Sequence, residues 1–386
     1  MISVLAIGLD YLMLKKDSVR GDVRERQLDY AKHLSSLKLV VYSPKHLGLK
    51  TETWSDNLKV YPTNSKNKLT FLIDAYKICS SICKETKIDI ITTEDPFIAG
   101  LVGFLLKKRY KAALNIQTHV DFYNNRYWLD QRKINWLFNK LGGFILKKAD
   151  TIRVGTHYEK EKLSTKLKID KNKIQVIPVN SDLNKFTLVN GDILRKKYCN
   201  HNFNKILLFT GRLVPQKDIA TLLRAFTLVL KERPGTLLLI TGSGREENVL
   251  KKLSTELKIS NKVLFTGSIE HGQIPEYLSA CDIYTISSIF EGTCIAMTEA
   301  MASGKPVVAT KFAGAIDLID DGKTGFIVEQ KDYKTMSEKI LFLLNNPQIA
   351  ADMGKKGSLK IKSLFANNIN IEAVVNLWEK TAKNDL

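Results

Sequence analysis

Short apolar runs recur along the chain, each followed by a stretch of helical period, and the pattern is gone through twice. In the first half, strand-like runs at Ser3–Ile7, Val40–Tyr42, Ile88–Thr92 and Ala113–Thr118 alternate with helical segments at Asp22–Leu37, Leu69–Thr86 and Ile98–Lys108. A further strand is expected within Ala149–Thr156. In the second half, strands are expected from Lys205, from Leu237, at Val263–Gly267 and at Ile283–Ser287, with another in Lys305–Thr310. Apolar strands alternating with helices call for parallel sheets covered on both faces. A chain of 386 residues is long enough for two such α/β domains. The polar, proline-bearing stretch Ile174–Asp182 marks the boundary, giving domains at 1–182 and 183–365. After Phe326 the chain reads as helical, with breaks near Pro347 and between Gly354 and Gly357. A final helix is expected at Ile369–Lys383, carrying Trp378.

Composition narrows the class. Hydrophobic residues make up 44% of the chain, which suits a folded globular protein, and no apolar run reaches the ~18 residues of a spanning helix. The start, Met1–Gly8, lacks a basic leader and reads as a first buried strand. Five cysteines, Cys79, Cys83, Cys199, Cys281 and Cys294, are odd in number and lack metal-ligand spacing, as expected of reduced thiols in the cytoplasm. The net charge is +19, and residues 1–185 hold 33 basic against 19 acidic side chains. Such a field attracts phosphates or anionic lipid, or is simply a lysine-rich soluble surface; interspersed glutamates disfavour nucleic acid. Between Tyr123 and Lys148, Tyr127, Trp128, Trp136, Phe138 and Phe144 interleave with Arg126, Arg132, Lys133, Lys140, Lys147 and Lys148. That helix either lies at a membrane surface or packs its rings on the sheet.

The chemistry concentrates in Ser288–Gly304, where Glu291 and Glu299 stand eight residues apart between two strand-like runs. A helix of about ten residues fits between, with Thr293 as N-cap and Gly304 as its stop. Glu291 then lies at the mouth of the loop and Glu299 about two turns deeper. The helix's free N–H groups would face a crevice at the carboxyl edge of the sheet, a setting for a diphosphate. Upstream, Gly211-Arg212 and Lys217 stand in one strand–turn–helix segment, and Leu237–Gly244 ends in a Gly242-x-Gly turn without the third glycine of a dinucleotide fingerprint. In the first half, Gly21 opens the helix that Asp22 can cap, with Arg20, Arg24 and Arg26 nearby. Thr93-Glu-Asp-Pro-Phe97 follows a strand, where Asp95 can cap a helix begun by Pro96. His119 closes another strand in Gln117-Thr-His-Val-Asp-Phe-Tyr123.

The Glu-x7-Glu pattern with Glu-Ala-Met-Ala-x-Gly-Lys-Pro-Val-Val-Ala after it, matched as far as Gly-Lys-Thr-Gly-Phe326, resembles the retaining glycosyltransferases of family 4. That resemblance implies the GT-B fold: two Rossmann-like domains whose parallel sheets face a deep cleft. It also implies that the final segment, 366–386, crosses back onto the first domain. It assigns Arg212 and Lys217 to the donor diphosphate, Gly21, Gly211 and Gly242 to close backbone approach, and Gly292, Thr293, Cys294 and Ile295 to phosphate. Glu299 would hold ribose, Glu291 the donor sugar, and His119 the sugar's reactive side. His119 is followed by Val120 before Asp121, a departure from the family pattern. The implied reaction moves a hexose, with retention, from a UDP- or GDP-sugar to a saccharide acceptor, favoured as lipid-linked, in cell-surface polysaccharide or glycan synthesis. It needs no cofactor and no metal, and the chain holds no Asp-x-Asp. A cytoplasmic enzyme, peripheral on the inner face of a membrane, follows from charge and family together. A nucleotide-sugar epimerase, a DNA-acting relative and a non-catalytic sugar-binding module are the alternatives.

Overall fold

The computed structural model describes residues 1–14, 23–179, 183–187, 189–199, 203–365 and 369–385. The chain divides into two units, Met1–Asn180 with Asn367–Leu386, and Ser181–Ala366.

Unit 1 runs β1 (Ser3–Gly8), α1 (Val23–Ala31), β2 (Ser36–Val41), β3 (Glu52–Ser55), β4 (Leu58–Pro62), α2 (Lys68–Glu85), β5 (Ile90–Thr93) and α3 (Ile98–Tyr110). It continues through β6 (Ala113–Gln117), α4 (Arg126–Asp130), α5 (Ile134–Lys148), β7 (Thr151–Val154), α6 (His157–Leu167) and β8 (Ile174–Val176). The eight strands lie in the order β3-β4-β2-β1-β5-β6-β7-β8, and only the β3–β4 pair is antiparallel. Every residue of β5 and β7 is buried, as a sheet covered on both faces requires. At the start of α2, Asn67 accepts from the Leu69 and Thr70 amides while the Thr70 hydroxyl accepts from the Asn67 amide, so two otherwise unbonded donors are satisfied where the helix begins.

Two expectations need correction here. The β3–β4 hairpin, turning at Asp56–Asn57, stands in a stretch where no strand is expected. The first helix ends at Ala31 rather than Leu37, because Ser36 and Leu37 pair with Ser3 and Val4 as the start of β2. The glycine expected to open that helix, Gly21, with Arg20 and Asp22, lies outside the described residues.

Unit 2 runs α7 (Asp192–Tyr198), β9 (Lys205–Thr210), α8 (Ile219–Glu232), β10 (Thr236–Thr241), α9 (Glu247–Glu256), β11 (Val263–Gly267), α10 (Ile274–Ala280) and β12 (Ile283–Ile286). There follow α11 (Ile295–Ala302), β13 (Val307–Thr310), α12 (Ala313–Leu318), β14 (Phe326–Val328), α13 (Tyr333–Asn345) and α14 (Pro347–Leu364). Its sheet is wholly parallel, in the order β11-β10-β9-β12-β13-β14. The break expected at Gly354–Gly357 does not occur: α14 passes through both glycines. Gly354 is instead a packing residue, since a Cβ there would overlap the Gly304 carbonyl oxygen. The helix therefore lies against the chain entering β13 at a distance no side chain permits.

The last helix, α15 (Ile369–Lys383), belongs to unit 1. Trp378 on it is 2% exposed, donates to Asn115 Oδ1 at 3.2 Å, and stands 5.2 Å from the Tyr30 ring. Truncating a ring so placed costs about 3–5 kcal/mol.

Candidate active site

In each sheet the order of the parallel strands reverses, between β1 and β5 in unit 1 and between β9 and β12 in unit 2. Loops leaving the carboxyl ends of strands on either side of such a reversal diverge and leave a crevice. In unit 2 those loops carry nearly every residue singled out for the donor. Gly211 follows β9 with φ +150°, and Gly242 follows β10 with φ +124°. A Cβ on Gly242 would overlap the Gly211 carbonyl oxygen, so the two turns cross backbone on backbone. The loop after β12 is stitched to the Gly211–Lys217 loop: the Ile289 amide donates to Gln216 O at 2.8 Å, Ser287 Oγ to Lys217 O at 2.9 Å, and Gln216 Nε2 to Phe290 O at 2.8 Å.

Lys217 and Glu291 meet directly, Nζ to Oε1 at 2.6 Å, with side chains only 10% and 14% exposed. Ser288 Oγ donates to the same oxygen at 3.1 Å. Burial opposes the charge on Lys217, but the charge of Glu291 and the hydrogen bond to it outweigh burial, and the pKa is raised above the ordinary lysine value. Burial also pushes the Cys294 thiol up to about 12, so at neutral pH the thiol is neutral and Glu291 is the charge that holds the ammonium. Arg212 is exposed and makes no ion pair among the described residues. One cation is thus locked in place and the other is free to turn toward a ligand. Glu299, 3% exposed, lies 3.0 Å from His271 Nε2.

The helix between the two acids differs from expectation. It spans Ile295–Ala302, and Cys294, not Thr293, is its N-cap, in a left-handed conformation (φ 52°) with no side-chain cap. The sharp turn at Cys294 delays the helix, so Glu299 is about one turn in rather than two. Its end is as expected, with Gly304 at φ +72° and the Gly304 amide on Met301 O at 2.9 Å. Gly292, Thr293 and Cys294 are buried, whereas Ile295 is 40% exposed. A helix start without a side-chain cap leaves its first amides available to an anion.

In unit 1, His119 follows β6 and lines a crevice with Arg26, Thr92, Glu94, Gln117 and Arg153. His119 is exposed at the edge of this crevice, and desolvation by the surrounding protein, then Arg153 and Arg26, lower its pKa from the ordinary imidazole value. It is therefore a neutral hydrogen-bonding ring at physiological pH. Glu94 lies over Gly8, where a Cβ would overlap its carboxyl group, and burial raises its pKa to about 7 against the pull of Arg26. Arg153 is buried and donates to Gln117 Oε1, Ile177 O and Pro178 O, each at 2.8 Å. Asp121, two residues past His119, pairs instead with Lys162 at 2.7 Å. Asp95 does not cap a helix begun by Pro96: α3 starts at Ile98, and Asp95 Oδ1 accepts from the Phe97 amide at 2.7 Å in the turn before it.

The aromatic stretch divides. Trp128 and Phe138 pack inward on Phe97, at 5.5 Å and 5.4 Å between ring centroids. Trp136, Leu137 and Phe144 are 54%, 60% and 47% exposed, on one stripe of α5 with Lys133, Lys140, Lys147 and Lys148. No described helix is long and apolar enough to cross a membrane.

Sequence reasoning missed Gln216, Ser288, Glu94 and His271. The first three adjoin motifs and could have been read from them. His271 is a lone histidine before α10, and nothing local ties it to Glu299.

Residues 192–360 match the family model of glycosyl transferases group 1, and residues 27–183 match that of glycosyltransferase family 4. The GDP-mannose-dependent monoacylated alpha-(1-6)-phosphatidylinositol monomannoside mannosyltransferase of Corynebacterium glutamicum is 31% identical over 213 residues. That alignment covers 53% of this chain and 55% of the relative, so the chain spans about half the length of this relative. The capsular polysaccharide biosynthesis glycosyltransferase CapM of Staphylococcus aureus is 28% identical over 308 residues, covering 75% of this chain and 78% of CapM. Among solved structures, Anabaena HepE in complex with UDP-glucose superposes with a TM-score of 0.76 at 20% identity, over 100% of this chain and 99% of HepE. The two family models between them account for both α/β units, and the chain belongs to the group 1, family 4 glycosyltransferases, of the GT-B fold class.

Proposed function

We propose that this enzyme transfers a hexose, with retention and without a metal, from a UDP- or GDP-sugar to a saccharide acceptor carried on a lipid. The observation that carries the reading is the Lys217–Glu291 pair set beside the uncapped start of α11, with Glu299 deeper on the same helix. When the bond from the sugar's anomeric carbon to the diphosphate breaks, its electron pair stays on the phosphate oxygen, and negative charge grows there. Lys217 (locked by Glu291), Arg212 (free to turn toward the diphosphate) and the first amides of α11 would supply cations and dipoles there, stabilising the departing diphosphate more than the intact donor. The acceptor hydroxyl oxygen forms the new bond to the anomeric carbon, and its proton passes to the leaving phosphate oxygen. Glu291, already ordered by Lys217 and Ser288, is suited to sugar hydroxyls, and Glu299 to the ribose. Gly211 and Gly242 allow backbone to approach the donor. His119, neutral at physiological pH, can exchange a hydrogen bond with a sugar hydroxyl without bringing charge.

The choice of UDP or GDP follows two relatives: HepE was solved with UDP-glucose, and the Corynebacterium enzyme is GDP-mannose-dependent. The lipid-linked acceptor, in cell-surface polysaccharide or glycan synthesis, follows the phosphatidylinositol mannoside and capsular relatives. A membrane-facing role for the Trp136–Leu137–Phe144 stripe with its four lysines agrees with such an acceptor, as does placement on the inner face of a membrane.

Calorimetry on the purified full chain with UDP, GDP and their hexose conjugates tests the site. Glu299→Ala and Lys217→Ala should each weaken nucleotide binding at least about tenfold, roughly 1.4 kcal/mol. Because Lys217→Ala strands a buried carboxylate, Lys217→Ala/Glu291→Gln is measured alongside it. Normal binding by the double variant and by Glu299→Ala would overturn the assignment.

A further inference from the structure

We propose that unit 2 holds a second anion site, at the amino edge of its sheet, which takes a small phosphomonoester. A cavity of about 290 Å³ opens there, lined by Arg195, Lys205, Asp282, Lys305, Pro347 and Ala350 among others. Three of these are cations, and among the described residues Asp282 is the one carboxylate that lines it. Lys205 begins β9, Asp282 precedes β12 and Lys305 precedes β13. The cavity therefore lies a strand's length, ~13–20 Å, from the carboxyl-edge loops that carry Lys217 and Glu291.

Asp282 is fully engaged. Arg195 grips it with two nitrogens at 3.1 and 3.2 Å, Lys205 adds a third contact at 3.2 Å, and the Ile206 amide donates to it at 2.8 Å. Lys305 spends two of its three donors on the carbonyls of Ser279 and Cys281, at 2.8 and 2.9 Å, capping the end of α10. A structural role in neutralising Asp282 and closing α10 accounts for one of the three charges. Two positive charges remain over, and both lysines keep N–H groups beyond those contacts. Cys281 adds no negative charge, since burial pushes its thiol up to about 12.

The cavity wall formed by Pro347, Ala350 and Ala351 is the first turn of the 18-residue α14, whose N-cap Asn346 provides no side-chain cap. The positive end of that helix adds to the same field. Leu343 and Leu344 supply an apolar side. A dianionic phosphate on a small polar body, the size of a glycerol or hexose phosphate, matches both the charge excess and the room.

The test is thermal shift and calorimetry on the full chain with inorganic phosphate, glycerol 3-phosphate and glucose 6-phosphate, at ionic strength held constant with chloride. The variants are Lys205→Gln and Ala351→Glu, the second placing a carboxylate at an exposed position on the cavity rim. Both leave the carboxyl-edge loops untouched. The expected result is saturable stabilisation by the phosphomonoesters, weakened at least about fivefold in each variant and kept in Glu299→Ala. A response equal in wild type and both variants, one reproduced by chloride alone, or one competed away by UDP would overturn the proposal.

Discussion

Glu94 and Asp95 follow β5 as adjacent carboxyl groups, and burial dominates both pKa values. Asp95 is raised to about 6 although the Phe97 and Ala99 amides pull it down, and its Oδ2 is buried with no hydrogen-bond partner among the described residues. Glu94 is raised to about 7. A carboxyl whose folded pKa exceeds its unfolded value binds protons more tightly in the native state. Its contribution to stability is thus greatest at low pH and is lost as pH rises through the folded pKa. For Asp95 the loss falls between the ordinary value of 3.8 and about 6, and for Glu94 between 4.5 and about 7. Urea unfolding of wild type against Glu94→Gln and Asp95→Asn at pH 4.5, 5.5 and 7.5 should show it. Wild type should lose about 1–2 kcal/mol relative to each variant across that range, the full shift being discounted for the solvent each group still meets. Parallel pH profiles would show both carboxylates to be ordinary. The T-E-D-P-F stretch was legible as a strand end, but the pKa of its acids was not, because burial is a property of the surrounding fold.

Elements show the same division. The Gly304 stop of α11 was readable from its position after an Ala- and Met-rich run, whereas the start at Cys294 was not, since Thr293 is the better capping residue by type. Glycine in a helix usually marks weakness, and by that rule Gly354 and Gly357 predict a break. Close packing reverses that meaning in α14. Gly354→Ala should destabilise unit 2 by about 1–3 kcal/mol despite the higher helix propensity of alanine, since the added methyl overlaps Gly304 O. Gly272, with open space around it and no left-handed backbone, should accept alanine within about 0.5 kcal/mol. Equal melting temperatures for the two variants would contradict this account of α14.

For the molecule as a whole, the excess positive charge of the first half and the outward stripe of α5 are two parts of one surface property. Flotation with vesicles containing phosphatidylserine should recover the protein, and vesicles of neutral lipid should recover far less. Each lysine near an anionic surface contributes about 1 kcal/mol. Replacing Trp136 and Leu137 together by serine should cut recovery severalfold without lowering the melting temperature, because both are more than half exposed. Failure to float with either lipid would remove the membrane role.

Hydrophobic period, turn residues and motif spacing are local, and they sufficed to place most strands of both parallel sheets, the final helix, and the loop-and-helix stretch with its two acids. Contacts between remote segments have no local trace. The Lys217–Glu291 pair, the His271 contact to Glu299, Glu94 lying over Gly8, and the solvent-facing side of α5 were set only when the strands took their order. That order brings together chain segments far apart in sequence and decides which side chains leave water.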